Sequence, residues 1–569
     1  MSDGADPYPE DPSCACSVCG QLKDVEDHDQ LCATQAPVPN LLRTRQLFAT
    51  QINSTSHDQD PFGRLPNELL SRVFEECGPS YGLRLGAVCY RWCRIARSTP
   101  RLWTTIDIRL VNNSESLNST LIFARDWLNR SGQLPLTIHI SIKGATTRAS
   151  SRRTSGMATV IKLINEYAHC WHDLQLRIPD SLLQEFRSDP QGRSILRKLL
   201  IVCDKDQPHY AFRPQHARLC PTVVRIQHRF HLVDIEWNNV TQVEVNNFSV
   251  DECLEMFRRA PRITDCMLTC IYVDPSPAYP FPGHRIVHPN LKSFSVSVIN
   301  GFGSAPLLFR HISFPSLCEL RYDSLSAIEH DEEFLAFLAC SSSYLHILYL
   351  EASQMQDSAV MRILQATKAL TDLYLRSYTT VHNHLFQLLA DSSLATADND
   401  RNPFLPGLRC FQYRCHSILS RDFLPKIFGP LSEIGNPNRR PLSKFSLTYS
   451  PCLRGPDFEP NIDENAVLQI LELQHRGMQL EVFCGEKDVL EGSLKAHRLL
   501  PAWFNGNCRL SHQLLMLTWL HGYLEAVHLS LYDLLFSTTE ISALVVLQWG
   551  KHILNSSNMY PQLSRCFNF

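Results

Sequence analysis

Length, composition and charge place the chain among folded proteins built from more than one structural unit. Its 569 residues exceed the roughly 100–200 residues of an ordinary domain, so we expect several domains or one elongated array. With 44% hydrophobic and 20% charged residues, the composition excludes wholesale disorder. The 54 Lys and Arg residues are balanced by 57 Asp and Glu residues. Since this leaves no basic excess to hold a phosphate backbone, we do not expect nucleic-acid binding.

Cysteine usage and hydropathy predict an intracellular protein, located in the cytoplasm, the nucleus or both. The 21 cysteines mostly stand singly in apolar surroundings, and the chain is too long for a disulfide-stapled secreted scaffold. The first residues are acidic and polar, without the apolar core of a signal peptide. The most apolar late stretch, 514–549, is interrupted by His and acidic residues. We therefore expect no membrane-spanning segment.

Residues 1–61 are rich in Pro, Asp, Ser, Thr and Gln and are predicted to be a mostly disordered tail. The tail contains a cluster of possible zinc ligands, Cys16, Cys19, His28 and Cys32. Four such soft ligands suit a tetrahedral zinc ion, which could fold a segment this polar. The spacing fits no common zinc finger closely, and reduced cysteines in a disordered tail remain the alternative. We predict no metal and no cofactor, with these residues as the only zinc candidates.

Residues 62–110 show the apolar periodicity of a small helical module. Apolar residues recur at three- and four-residue spacing from Leu65 to Phe74, with Pro66 in the first turn, which indicates an amphipathic helix. A second periodic stretch runs from Leu83 to Ala96 and predicts a second helix. It is followed by a segment, 104–110, whose alternation is typical of a strand.

After this module the chain becomes repetitive. The form L-x-x-L-x-L, with any apolar residue at the three marked places, begins at Val240, Ile263, Leu291, Leu317, Leu345, Leu370, Leu408 and Leu442. The first five steps, of 23 to 28 residues, lie in the range of about 20–29 residues expected for leucine-rich repeats. The last two steps, of 38 and 34 residues, predict inserted loops. Weaker copies occur near Leu174 and Leu196.

Short helical patterns separate the repeated strands, at 250–260, 331–341, 357–367, 382–392, 421–429 and 466–475. The predicted fold class is therefore α/β: a short helical module followed by an irregular leucine-rich-repeat solenoid, a horseshoe of strands backed by helices. We place irregular first repeats and linker at 111–235, the solenoid at 236–485, and a cap or tail at 486–569. The stretch 143–156 is predicted to be a loop. A generic α/β domain with apolar strands is the alternative.

Three segments in residues 65–103 carry a resemblance to a known family. LPNELLSRVF, VCYRW and STPRLW occur in this order, and the order resembles the F-box, a helical module that docks onto the Skp-type adaptor of cullin–RING ubiquitin ligases. The resemblance implies a set of adaptor-binding residues: Leu65, Pro66, Glu68, Leu69, Val73, Phe74, Val88, Cys89, Trp92, Leu102 and Trp103. The intervening loop is shorter than in many relatives, which leaves the helix boundaries there open. The alternative is that the module only caps the solenoid.

The segment that follows, LIFARDWLNRSGQLPLTIHISI at 121–142, is similar to one found in fungal F-box proteins with leucine-rich-repeat-like regions. That resemblance covers roughly residues 62–450. It implies a substrate-recognition subunit of a Skp–cullin–F-box ubiquitin ligase, which binds the adaptor, through it a cullin–RING ligase, and an unknown target protein. The alternatives are an F-box scaffold acting outside a ligase and a zinc-dependent nucleic-acid binder.

No catalytic motif was found in the sequence. It contains no phosphate-binding G-x-x-x-x-G-K-[ST] loop, no G-x-S-x-G elbow and no H-E-x-x-H pair. We therefore predict a protein without catalytic residues, which acts by bringing other proteins together.

The repeat pattern also predicts a target-binding face. Because alternate residues of a strand point to opposite faces, the residues between the apolar ones point outwards. In the copies from Leu317 to Leu408 these are Arg321, Asp323, Tyr349, Glu351, Tyr374, Arg376, Gln412 and Arg414. Tyr and Arg are enriched at interface hot spots, and a pair of arginines could hold a carboxylate or phosphate. An ordinary solvated strand face is the alternative.

Overall fold

The computed structural model describes residues 65–497, with gaps at 111–113, 143–150, 193, 204–209, 299–302, 325–330, 353–354, 378–382, 394–403, 416–422, 434–435, 437–438, 450–461 and 486. The described chain divides into two compact units between Thr99 and Pro100. The first unit is helical and the second is built on a large sheet. The cysteine and histidine cluster of the tail lies outside the described residues, as do most residues of the predicted C-terminal cap.

The helical unit contains α1 (Asn67–Glu76), α2 (Gly82–Val88) and α3 (Tyr90–Arg97). Helix α1 follows Pro66, whose fixed φ suits a helix start, and it ends before Gly78, which has φ +90°. The second predicted helix is divided in two. Cys89 adopts an extended conformation, and its Sγ accepts a hydrogen bond from the Trp92 backbone N–H at 3.4 Å, which caps α3. The continuous helix expected over 83–96 is therefore wrong at this residue.

The second unit is an α/β structure whose main sheet has 15 strands within the described residues. The strands follow each other in chain order and pair in parallel, apart from the short antiparallel β17 at the end. β8 and β10 form a separate small sheet. The strands are β1 (Thr105–Leu110), β2 (Leu136–Ile142), β3 (Trp171–Arg177), β4 (Lys198–Val202), β5 (Val223–Gln227), β6 (Gln242–Asn246), β7 (Asp265–Thr269), β8 (Ile286–Val287), β9 (Ser293–Val298), β10 (Ile312–Ser313), β11 (Glu319–Ser324), β12 (Ile347–Ala352), β13 (Asp372–Ser377), β14 (Cys410–Cys415), β15 (Lys444–Tyr449), β16 (Gln479–Cys484) and β17 (Lys487–Asp488).

Helices connect most of the parallel strands, as parallel pairing requires. They are α4 (Ser114–Ser131), α5 (Ser151–Asn165), α6 (Val250–Arg259), α7 (Ser304–His311), α8 (Asp331–Ser341), α9 (Asp357–Ala366), α10 (Asn383–Asp391), α11 (Phe423–Lys426), α12 (Glu464–His475) and α13 (Val489–Ala496). The connections from β3 to β4 and from β5 to β6 contain short 3₁₀ turns instead, and the described parts of those from β4 to β5 and from β7 to β9 contain no helix. Helix α6 begins with a capping box, in which Ser249 and Glu252 satisfy each other's backbone N–H groups.

The repeated motif coincides with the strands. In all eight strong copies the strand begins two residues after the first apolar residue, as β12 begins two residues after Leu345. The three apolar positions of every copy are buried. Parallel pairing places like positions side by side, for example Leu320 beside Leu348 and Leu348 beside Leu373. The apolar residues therefore form continuous rows along one face of the sheet, and these rows build its core.

The sheet and its helices extend beyond the predicted pattern. β2, β5 and β16 join the same sheet although no copy of the motif was assigned to them. Helix α5 begins at Ser151, so the loop predicted over 143–156 is wrong from that residue onwards. The Ser, Thr and Arg residues of this stretch disfavour a helix only weakly. The helix forms because later residues such as Val160 and Ile164 bury its apolar face.

Buried Arg440 binds both ends of the long connection between α10 and β14. It is 5% exposed, and its guanidinium donates to the carbonyl oxygens of Leu389, Ser392, Phe404 and Leu405 at 2.7–3.2 Å. Burial lowers the pKa of Arg440 to about 10. No described carboxylate forms an ion pair with it. Its role is thus to satisfy carbonyls at both ends of the segment inserted after α10.

We expect Arg440→Met to lower the free energy of unfolding by roughly 3 kcal/mol, because several buried carbonyls lose a charged donor. Urea titration followed by circular dichroism measures the change. Arg409→Met is the matched control, since Arg409 is an exposed arginine nearby, and it should change stability by less than about 0.5 kcal/mol. Equal stability of the Arg440 and Arg409 variants would contradict this role.

Candidate functional site

Helix α1 separates two sets of apolar side chains. Leu70 and Phe74 are fully buried, whereas Leu69 and Val73 are 49% and 46% exposed. Both pairs have the four-residue spacing that places side chains on one helix face. The Phe74 ring lies 4.9 Å from the Trp92 ring. Phe74 and half-buried Trp92 thus pack inside the helical unit, and Leu69 and Val73 are the apolar side chains of α1 that a partner could cover.

The other predicted residues of the helical unit lie at the start of α1 and around the break between α2 and α3. Leu65 is half-buried, while Pro66 and Glu68 are exposed. Arg91 donates to the Leu65 carbonyl and, at 3.1–3.2 Å, to Asn67 Oδ1, which ties α3 to the start of α1. Val88 is 61% exposed, and neighbouring Cys89 is exposed as well.

The exposed apolar side chains of the helical unit outnumber those predicted from the sequence. Tyr81, Leu83 and Tyr90 are also exposed, Tyr90 by 79%. Six of the sixteen exposed large apolar side chains in the described part of the chain lie within residues 65–99. The other ten are spread over the described part of residues 100–497, so the helical unit is the part of the described chain richest in exposed apolar side chains, a property of surfaces that bind partners. The break at Cys89 explains why the sequence missed Leu83 and Tyr90, because one continuous helix would have a different exposed face.

Leu102 and Trp103 belong to the sheet-containing unit. Both are buried, and Trp103 packs edge-on against Trp127 with ring centroids 4.7 Å apart. The Arg130 guanidinium lies over the Trp103 ring at 4.5 Å. Both Trp127 and Arg130 come from the segment 121–142. Leu102 and Trp103 are therefore core residues, with no surface for a partner to contact.

The eight outward residues predicted for the target face form one continuous surface, which we call the outward strip. Arg321, Tyr349, Tyr374 and Gln412 lie side by side in one row across β11 to β14. Asp323, Glu351, Arg376 and Arg414 form the adjacent row. All eight are half-buried or exposed. Sequence spacing alone predicted these two rows, because parallel pairing is in register throughout.

The first row of the strip is a stack of flat groups. The rings of Tyr349 and Tyr374 are stacked, with centroids 4.1 Å apart and planes inclined by 13°. The Arg321 guanidinium lies over the Tyr349 ring, 4.4 Å from its centroid. Burial raises the pKa of the Tyr374 phenol, so this hydroxyl stays protonated and able to donate a hydrogen bond. The stack holds three large side chains in one orientation, which lowers the entropy that binding would cost.

In the second row, an ion pair between Glu351 and Arg376 separates the charged residues Asp323 and Arg414. Arg376 Nη1 lies 2.9 Å from Glu351 Oε1 in an ion pair. The two arginines therefore do not form the free pair considered from the sequence, since Arg376 already has a carboxylate. Asp323 accepts a hydrogen bond from Ser297 Oγ at 3.3 Å. Its pKa is raised, first by burial and then by the charge of Glu351, against the lowering effect of Arg376 and Arg321.

The described residues contain no group of three or more His, Cys, Asp or Glu side chains arranged to hold a metal ion. Within the same residues, no helix combines the length and apolarity needed to cross a bilayer. The predicted zinc candidates lie outside the described residues and stay a prediction.

Residues 62–109 match the F-box-like family. The matched range includes the exposed apolar face of α1 and the buried Leu102–Trp103 pair, and it supports an F-box protein. Domains of this family generally bind Skp-type adaptors of cullin-based ubiquitin ligases, and the proteins that carry them are typically non-catalytic adaptors. A comparison with curated proteins found no matching relative.

Proposed function

We propose that the chain is the substrate-recognition subunit of a Skp–cullin–F-box ubiquitin ligase. The observation that carries the proposal is the F-box-like match at residues 62–109, together with the exposed Leu69, Val73 and Val88 in that range. A small helical unit that leaves apolar side chains uncovered gains stability when a partner groove buries them. The adaptor is the partner that the match indicates. We place the protein inside the cell, in the cytoplasm or nucleus.

The proposed docking surface is smaller than the predicted list. We assign the exposed Leu69, Val73 and Val88 to its apolar part and the exposed Pro66, Glu68 and Cys89 to the rest of it. Phe74 and Trp92 support it from inside the helical unit. Alanine at either position would weaken adaptor binding indirectly, through loss of packing.

The sheet-containing unit is proposed to be an irregular leucine-rich-repeat solenoid of the kind found in fungal F-box proteins. Chain-ordered parallel strands, helical connections and rows of buried apolar residues support this assignment. The target would bind the outward strip, since strands of such solenoids present a broad face to partners. The protein itself would perform no chemistry. It would raise the local concentration of the target's lysines near the ubiquitin carrier.

Co-purification tests the proposal. We expect the tagged full chain to bring down both a Skp-type adaptor and a cullin from cells in which it is expressed, and deletion of residues 62–109 to remove both. Adaptor without cullin would instead support an F-box scaffold that acts outside a ligase. Recovery of neither protein by the full chain would contradict the docking assignment.

A further inference from the structure

The outward strip carries opposite charges at its two ends, separated by groups that already have partners. Asp323 lies on β11 and Arg414 on β14, and the strands between them hold the Glu351–Arg376 ion pair in the same row. The Arg414 side chain is exposed and makes no hydrogen bond or ion pair within the described part of the chain. Among the described residues, this guanidinium is thus a free cation at one end of the strip.

At the other end of the strip, the Asp323 carboxylate has no ion-pair partner among the described residues. The only hydrogen bond to this carboxylate among the described residues comes from the uncharged Ser297 hydroxyl, and Glu351 beside it adds like charge. The nearest arginines are engaged elsewhere, Arg376 with Glu351 and Arg321 with the Tyr349 ring. The raised pKa of Asp323 shows that burial outweighs the effect of both arginines. A cation brought by a partner would stabilise this carboxylate.

The spacing of the two ends suits an extended peptide. Asp323 and Arg414 are three strand steps apart, which at about 4.8 Å per step is about 14 Å. An extended chain advances about 3.3 Å per residue, so about four residues span the distance. Residues i, i+2 and i+4 of such a chain point to the same side. The middle residue would then lie over the Glu351–Arg376 ion pair of the same row, beside the stacked Tyr349 and Tyr374 of the adjacent row.

We propose that the target segment bound by the outward strip is an extended peptide with a Lys or Arg and an Asp or Glu four residues apart. The basic residue pairs with Asp323 and the acidic residue with Arg414, in either chain direction. The proposal rests on the function proposed above and names the class of target that it would recognise.

A selection from a displayed library of random nine-residue peptides on the full-length protein tests the proposal. We expect enrichment of a basic and an acidic residue at i and i+4. Selection on Arg414→Glu should replace the acidic peptide residue by a basic one and leave the basic residue at the other end unchanged. Selection on Asp323→Lys should replace the basic peptide residue by an acidic one and leave the acidic residue unchanged. Asp323→Asn, which keeps the shape and removes the charge, should weaken binding of the original peptides at least about tenfold.

Arg177→Glu is the matched control, because Arg177 is exposed, lies in the same row on β3 and has no ion pair within the described residues. It should leave the selected peptides unchanged. Absence of an enriched charge pair, or a pair that ignores both charge reversals, overturns the proposal. If the charge-pair proposal fails but the double variant Tyr349→Ala, Tyr374→Ala no longer binds the selected peptides, the strip remains the target surface. If no strip variant affects binding, the target surface itself is misplaced.

Discussion

Replacing Leu69 and Val73 together by aspartate abolishes capture of the Skp-type adaptor while the helical unit stays folded. Both side chains are about half exposed in α1, so neither supports the core. Covering the exposed half of each side chain contributes about half of the 1.5–3 kcal/mol of full burial, or about 0.8–1.5 kcal/mol. Losing both corresponds to at least about tenfold weaker binding, and two buried carboxylates without partners weaken it further. Binding of the purified full chain to the adaptor, measured by calorimetry, gives the difference directly.

Two control variants separate docking from folding in this experiment. Leu468→Asp removes an apolar side chain of similar exposure, 47%, from helix α12, and adaptor affinity should not change. Phe74→Ala removes a buried ring and should lower stability by about 3–5 kcal/mol. If the Leu69 and Val73 variant binds the adaptor as tightly as the unmodified chain, the adaptor contacts another surface and our docking assignment is wrong.

Replacing Tyr349, Tyr374 and Arg414 together by alanine removes target capture and leaves adaptor binding intact. The tyrosine stack and the free arginine are the residue types that contribute most at interfaces, often about 2 kcal/mol or more each. Arg376 is kept, because its ion pair with Glu351 would otherwise leave a carboxylate without its partner. Loss of the stacking itself should cost about 0.5–1.5 kcal/mol of stability, too little to unfold the sheet.

Targets are best trapped with the Leu69 and Val73 aspartate variant, which holds them without passing them to the ligase. Quantitative mass spectrometry then compares this chain with and without the three alanines. The matched control replaces Gln175, Arg177 and Gln227 by alanine, three outward residues at the other end of the same face. Proteins lost with the first triple change and kept with the second are targets of the strip. If the captured proteins are the same with both, the target site lies elsewhere, first of all on the connections after β13 and β14.

The sequence by itself predicted the strands, because the signal for a buried strand is local. An apolar residue at alternate positions is required wherever one face of a strand enters a core, and the same spacing recurs in all eight strong copies. The outward strip followed from this pattern, since parallel in-register pairing preserves the order of the residues between strands. The strands β2, β5 and β16 were missed because they lie outside the copies that were assigned.

Only the tertiary structure decided which side chains of these elements remain available to a partner. Leu69, Val73 and Phe74 have similar apolar character, but only Phe74 meets the Trp92 ring and is buried. The break at Cys89 depends on a cap between its thiol and a backbone N–H, which no apolar periodicity reveals. The Glu351–Arg376 pair likewise forms between residues 25 positions apart in the chain. Charge and hydropathy are properties of single residues, whereas exposure and neutralisation depend on neighbours that distant parts of the chain supply.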